Sequence, residues 1–345
     1  MMDKSEKIVV GISIGDLNGI GIEVILKTFQ DKRMLDFCTP VIFGSTKSAS
    51  YHKKLINSQT QIHGITSIKQ IANNKINLLN IWKEEVKLDI GKATGESGKY
   101  AFKSLESAVK HLKEKEIDVL VTAPINKENI QSDEFKFAGH TEYLEDKLDG
   151  ESLMILISEK LRVGLITGHI PISEIPNAIT PELIKKKVEI MHTALVKDFG
   201  ISKPKIAVLG LNPHCGDKGV IGKEDDEIIR PTISEIKENG KIVFGPYAAD
   251  GFFGSNTHKQ FDGILAMYHD QGLAPFKALS FGNGVNYTAG LSEIRTSPDH
   301  GTAFEIAGKN EANHSSFKEA LFTAIEIFRK RKEHKNLTVN VLQVK

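Results

Sequence analysis

Short apolar runs with few charges alternate along the chain with stretches whose apolar residues recur at helical spacing. The runs Ile8 to Ile14, Pro40 to Gly44, Ile76 to Trp82, Ile117 to Val121, Lys205 to Leu211 and Gly263 to Met267 predict buried strands of a parallel sheet. Between them, Ile22, Ile25, Leu26 and Phe29 mark a first helix, and Ser45 to Ile56 a second. Lys99 to Lys115 predicts a long amphipathic helix, with Ala101, Leu105, Ala108, Val109 and Leu112 on one stripe. Thr180-Pro181-Glu182 carries a start signal for a helix reaching Phe199: an N-cap threonine, a first-turn proline and an acid. Lys223 to Glu238 reads as a charged helix interrupted at Pro231, Ala303 to Ala307 as helix-like and Ser315 to Arg331 as the last helix. Leu153 to Ile157 and Arg162 to Thr167, joined by a tight turn, predict a hairpin, and Leu337 to Gln343 a final short strand. Residues 57 to 75 and 244 to 251 read as irregular, His52 and His63 as surface residues. The alternation predicts α/β architecture with mostly parallel sheets.

Composition narrows the class. The 345 residues are 40% hydrophobic and 26% charged, ordinary for a globular protein of about two domains. A net charge of +1 gives no electrostatic reason to bind nucleic acid or an acidic membrane. Two cysteines, Cys38 and Cys215, make no disulfide framework, which fits a reducing cytoplasm. No apolar run approaches the length of a membrane span, and the N-terminus lacks a signal-peptide pattern.

Candidate chemistry sits where strands end. In α/β sheets ligands bind beyond the carboxyl ends of strands. Three strands are each followed by a histidine: His169, His214 and His269. No local motif links them, so the sheet must bring them together. Three imidazoles with an open position suit a catalytic divalent ion. Asp250 and Asp270 are candidates to orient those rings. Lys277, Asn286 and Arg295 follow His269 and offer cations and an amide to an anionic substrate. Lys127 lies just past another strand end. His140 stands at an expected helix start, with Thr141 a candidate N-cap. There its charged form is disfavoured, which suits hydrogen bonding to substrate. Gly15, Gly19 and Gly21 follow the first strand with the spacing G-x-x-x-G-x-G, not the dinucleotide fingerprint. That loop is either an anion cradle or a tight turn.

The segments TAPINK (122–127), GHTEYL (139–144), TGHIP (167–171), GLNPHCGDKG (210–219), GPYAAD (245–250), LAMYHDQGL (265–273), GVN (284–286) and IRTSPDHGTA (294–303) resemble, in order, the 4-hydroxythreonine-4-phosphate dehydrogenase family of vitamin B6 coenzyme synthesis. The N-terminal loop departs, with GDLNGIG where many relatives have proline-alanine after the acid. The resemblance implies two α/β/α domains around a cleft, like isocitrate and isopropylmalate dehydrogenases, in a homodimer whose partner completes the site. It implies one domain of residues 1–125 and 265–345 on the cofactor side, and a second of 126–264 on the metal and dimer side. It implies one divalent metal (Zn, Mg or Co) on His169, His214 and His269, and a phosphorylated substrate on His140, Thr141, Lys277, Asn286 and Arg295. It also implies NAD or NADP on the Asp299, His300, Gly301 and Thr302 segment, to which the Gly15 and Gly19 loop is added as a candidate. The implied reaction is oxidation of 4-phosphohydroxy-L-threonine at C3 and decarboxylation. Lys127 and Asp250 are the candidate general bases. A sister enzyme acting on a four-carbon sugar-acid phosphate is the alternative, with a phosphate acyltransferase behind it.

Overall fold

The computed structural model describes residues 7–159, 161–280 and 282–339. Its strands in chain order are β1 Ile8–Ser13, β2 Cys38–Gly44, β3 Ile62–Ile65, β4 Ile76–Asn80, β5 Val119–Thr122 and β6 Gly150–Ser158. They continue as β7 Leu161–Leu165, β8 Ile206–Leu209, β9 Val243–Tyr247, β10 Gly263–Ala266, β11 Val285–Leu291 and β12 Arg295–Pro298. The chain divides into two compact units, Met1–Asp149 with Ser292–Phe328, and Gly150–Leu291 with Arg329–Lys345. Both crossings lie later than the expected 125 and 265, and the end of the C-terminal helix belongs with the middle of the chain. No shift in composition marks either crossing.

In the first unit the strand order is β3-β4-β2-β1-β5-β12, and every pairing is parallel. Helices supply most of the crossovers such pairings require, whereas β3 reaches β4 through a link holding only the 3-10 turn Ile68–Gln70. The helix Gly95–Lys113 buries Ala101, Leu105, Ala108 and Leu112 and packs on β1, β2 and β5, with the His111 ring against Phe43. At roughly 1.5–3 kcal/mol per buried large side chain, that stripe fixes which face of the helix turns inward. It starts earlier than its apolar stripe predicts. Thr94 Oγ1 accepts from Ser97 N at 3.2 Å and the Ser97 side chain answers, a capping box built from the TGES segment.

In the second unit the order is β11-β6-β7-β10-β8-β9. β6 and β7 form the expected antiparallel hairpin, and β11 adds antiparallel to β6. β7, β10, β8 and β9 run parallel. Leu156, Val163, Leu165, Ala207, Leu209, Ile264, Ala266 and Phe276 form one core cluster. At its side Tyr287 OH donates to Asp198 Oδ2 at 2.5 Å, and Arg331 Nε donates to Asp198 Oδ1 at 2.6 Å. This buried trio ties β11 to the C-terminal helix Ser315–Thr338.

Several expectations are corrected. Residues 57 to 75 contain β3, too short and polar to show a periodicity. Residues 244 to 251 contain most of the edge strand β9 and the start of the helix Ala249–Gly254. Ala303 to Ala307 holds a single 3-10 turn. Leu337 and Thr338 are helical, and the rest of the expected last strand lies almost wholly outside the described residues. His52 is buried at 1% exposure, its Nε2 donating to Leu17 O at 2.8 Å; His63 is half-buried. The expected interruption of the helix Lys223 to Glu238 at Pro231 is present: a π turn, Asp225–Ile229, runs directly into the α-helix Arg230–Glu238 and accommodates the missing N–H of Pro231.

Candidate active site

The second unit places β10 between β7 and β8, all parallel, with Leu165 beside Ala266 and Val208 beside Leu265. Their carboxyl ends therefore share one edge, and each of the three histidines follows one of them. A hydrogen-bonded chain links the three ends. Thr167 Oγ1 donates to Met267 O at 2.7 Å, Met267 N donates to Gln271 Oε1 at 2.7 Å, and Gln271 Nε2 donates to Gly210 O at 2.7 Å.

His269 opens the helix His269–Ser280, and its ring lies 5.3 Å from that of His169 between centroids. His269 Nδ1 donates to Asp270 Oδ1 at 2.7 Å, which leaves Nε2 as the lone-pair nitrogen. Two adjacent imidazoles, one oriented by a carboxylate, fit the chemistry of a divalent-metal donor set. His214 does not join them: among the described residues no three His, Cys, Asp or Glu side chains group closely enough to hold a metal ion. It sits instead in the turn Pro213–Asp217, whose backbone is left-handed from His214 to Lys218. That conformation costs an L residue about 1–2 kcal/mol and concentrates at functional sites.

Asp225, fully buried, accepts from Leu211 N at 2.9 Å and Asn212 N at 3.0 Å just before this turn. Cys215 is pushed up to about 11 by burial and by the Asp225 charge, so it is a thiol at neutral pH. Asp250 is exposed in the first turn of its helix, near enough to act on Cys215. Lys277 is exposed further along the helix that His269 opens. Asn286, half-buried on β11, has a buried Oδ1 without a hydrogen-bond partner.

The first unit holds the other expected cluster. Arg295, at the start of β12, is buried at 2% exposure and donates to Thr122 Oγ1 through Nε at 3.0 Å and Nη2 at 2.7 Å. Burial lowers its pKa to about 9, with the Glu142 charge opposing, so it keeps its charge at pH 7. His140 opens the helix His140–Lys147, whose N-cap is Gly139 rather than Thr141. Thr141 lies inside the first turn, because the left-over cap position falls to the extended glycine. Burial, then the charges of Arg295 and Lys127, push the His140 pKa well below the usual value. Its Nε2 is buried without a hydrogen-bond partner. A neutral imidazole beside two cations is suited to receive an anion's protonated or hydroxyl oxygen.

The Asp299–Thr302 segment is anchored at both ends. Asp299 N donates to Ser316 Oγ at 3.0 Å, and Thr302 O accepts from Ile20 N at 3.1 Å. His300 Nδ1 lies 3.1 Å from Gly301 O, and Gly301 faces open space. Gly15 and Gly19 are explained by packing. A Cβ on Gly15, at φ +68°, would lie 2.2 Å from Pro124 O, and one on Gly19 would lie 2.9 Å from Thr302 O. Their loop is held by Asp16, which accepts from Asn129 Nδ2 at 2.7 Å and Ser97 Oγ at 3.2 Å and whose pKa burial raises.

Residues 36–324 match the family model described as pyridoxal phosphate biosynthetic protein PdxA. The chain belongs to that family. It is 52% identical over 342 residues to a 4-hydroxythreonine-4-phosphate dehydrogenase of Bacteroides thetaiotaomicron, covering 99% of this chain and 94% of that one. It is 38% identical over 328 residues to a D-threonate 4-phosphate dehydrogenase of Cupriavidus necator, covering 94% and 98%. A crystal structure of 4-hydroxythreonine-4-phosphate dehydrogenase from Klebsiella pneumoniae superposes with a TM-score of 0.80 at 31% identity, covering 95% and 99%. The protein is thus an enzyme of the dehydrogenase class with the α/β fold of that family. Among the described residues no helix is long and apolar enough to cross a membrane.

Proposed function

We propose that the enzyme oxidises 4-phosphohydroxy-L-threonine at C3 with NAD⁺ or NADP⁺, and that the product loses CO₂ to give 3-amino-2-oxopropyl phosphate. The observation that carries the reading is the buried pairing of a charged Arg295 with a neutral His140 whose Nε2 is unpartnered. Arg295 supplies charge and directional donors to the phosphate, Thr122 fixes its guanidinium, and His140 and Thr141 complete the polar lining. Lys277 and Asn286 are candidate contacts for a phosphorylated substrate on the second unit. Lys127 and Asp250 are the candidate bases for the hydroxyl proton.

His169, His214 and His269 would hold a divalent metal, Zn, Mg or Co, with Asp270 orienting His269. When bound, such an ion supplies Lewis acidity to the C3 oxygen. Asp299 to Thr302 would hold the nucleotide, whose nicotinamide accepts the hydride. The separation of His214 from the other two imidazoles supports a homodimer in which a second copy completes each site. Ile172 at 79% exposure and Val220 at 81%, on the turns following His169 and His214, supply apolar surface for that contact.

The 38% identical D-threonate 4-phosphate dehydrogenase supports one second reading, the sugar-acid phosphate as substrate. A coupled assay separates the two. NADH formation from 4-phosphohydroxy-L-threonine that stops on chelation is the expected result. Turnover of threonate 4-phosphate alone would keep the chemistry and change the substrate, and neither NADH nor NADPH from either substrate would overturn the proposal. Mixing inactive His169→Ala and His214→Ala chains tests the shared site, since one composite site would regain activity.

A further inference from the structure

The turn that carries His214 needs something to impose it. His214, Cys215, Asp217 and Lys218 have φ of 54°, 53°, 43° and 56°, with Gly216 among them at 77°. Four side-chain-bearing residues in this region do not gather by local preference. Cys215 N donates to Asn212 O and Ile221 N to Gly216 O, each at 3.0 Å, so the turn is closed on itself. What fixes its base is Asp225. Its Oδ1 accepts from Leu211 N at 2.9 Å, and its Oδ2 accepts from Asn212 N and Asn212 Nδ2, each at 3.0 Å. On residue 210, Gln271 grips the carbonyl. The fit leaves no slack: a Cβ on Gly210 would stand 2.6 Å from Asp225 Oδ1 and 2.8 Å from Cys215 Sγ. Three donors converge on two oxygens, which a carboxylate satisfies and an amide cannot, since its NH₂ would face an N–H.

We propose that Asp225 is the positioning residue that sets His214, an assignment that rests on the reading of His214 as a metal ligand. It acts by holding residues 210–212 so that the left-handed turn presents the imidazole. Outer partners of this kind typically change metal affinity by about 10- to 100-fold.

The test is a Co²⁺ and Zn²⁺ titration by calorimetry of the whole native protein, Asp225→Asn and His214→Ala, with hydrogen exchange of each read by mass spectrometry. Asp225→Asn is expected to bind the ion about 10- to 100-fold more weakly and to exchange faster within residues 210–222 alone. A folded Asp225→Asn that loosens that segment yet binds within twofold of native overturns the proposal. If native protein binds no ion, or His214→Ala binds as tightly as native, the ligand reading fails and takes this proposal with it. Should Asp225→Asn not fold, Asn212→Ala, which removes one of the three donors, decides. Weaker binding by at least threefold supports the assignment, and smaller change overturns it.

Discussion

Arg295 and His140 share one buried corner of the first unit, and after burial itself the Arg295 charge is what most keeps the His140 imidazole neutral. Thr122 Oγ1 holds the guanidinium, accepting from both Nε and Nη2.

Arg295→Met should therefore raise KM for the phosphorylated substrate about 10- to 100-fold, the range of one or two charge-assisted hydrogen bonds of ~1.5–3 kcal/mol. Weak inhibition by inorganic phosphate should disappear in the same variant. Steady-state kinetics at saturating metal check this, and an unchanged KM would remove Arg295 from the phosphate site.

Asp270→Asn should weaken divalent-metal binding about 10- to 100-fold with little loss of stability. The Asp270 side chain is 84% exposed and accepts from the His269 ring. Calorimetric titration with Zn²⁺ and a thermal melt of the metal-free protein together distinguish ring orientation from folding.

His52 makes stability depend on pH. Its folded pKa is lowered from 6.5 to about 4, mainly by burial. The unfolded chain then binds more protons between those values, so stability is full above pH 6.5 and falls as pH drops toward 4. Integrated at ~1.4 kcal/mol per pH unit, the loss is about 3 kcal/mol. Urea denaturation at pH 7 and pH 4 should show it, and His52→Gln should flatten that part of the curve.

Gly15→Ala should cost about 2 kcal/mol or more, since the new Cβ meets Pro124 O in a left-handed backbone. The folded fraction should keep its KM for nucleotide, because the loop is buried among protein groups. A raised nucleotide KM at unchanged stability would return Gly15 to the cofactor site.

How much of this was legible in the sequence depended on range. Leu165, Leu209 and Ala266 end apolar runs, and the histidine after each could be read from pattern alone. The hairpin at residues 153–167 and the Thr180 helix start were equally local. β3, β11 and β12 were not legible, because their strands are defined by partners far away: Arg295 pairs with Leu120 and Asn286 with Leu156. The supports of the site were hidden for the same reason. Asp225 looks like one acid in a charged helix start, and Asp16 like one residue of a glycine turn. Only the fold shows what each carboxylate accepts from. His52 has no nearby polar residue in sequence, yet it is buried beneath the first loop through Leu17 O.

The trio of Tyr287, Asp198 and Arg331 has a consequence for how the protein is born. A ribosome delivers the chain from its amino end, and domains usually fold as they emerge. Here the second unit cannot neutralise its buried Asp198 until Arg331 has been translated and released. The first unit, in turn, waits for β12 to emerge before β5 gains its second neighbour. Each unit is therefore closed by a segment translated long after the rest of it, and the earlier strands must stay incomplete until that segment arrives.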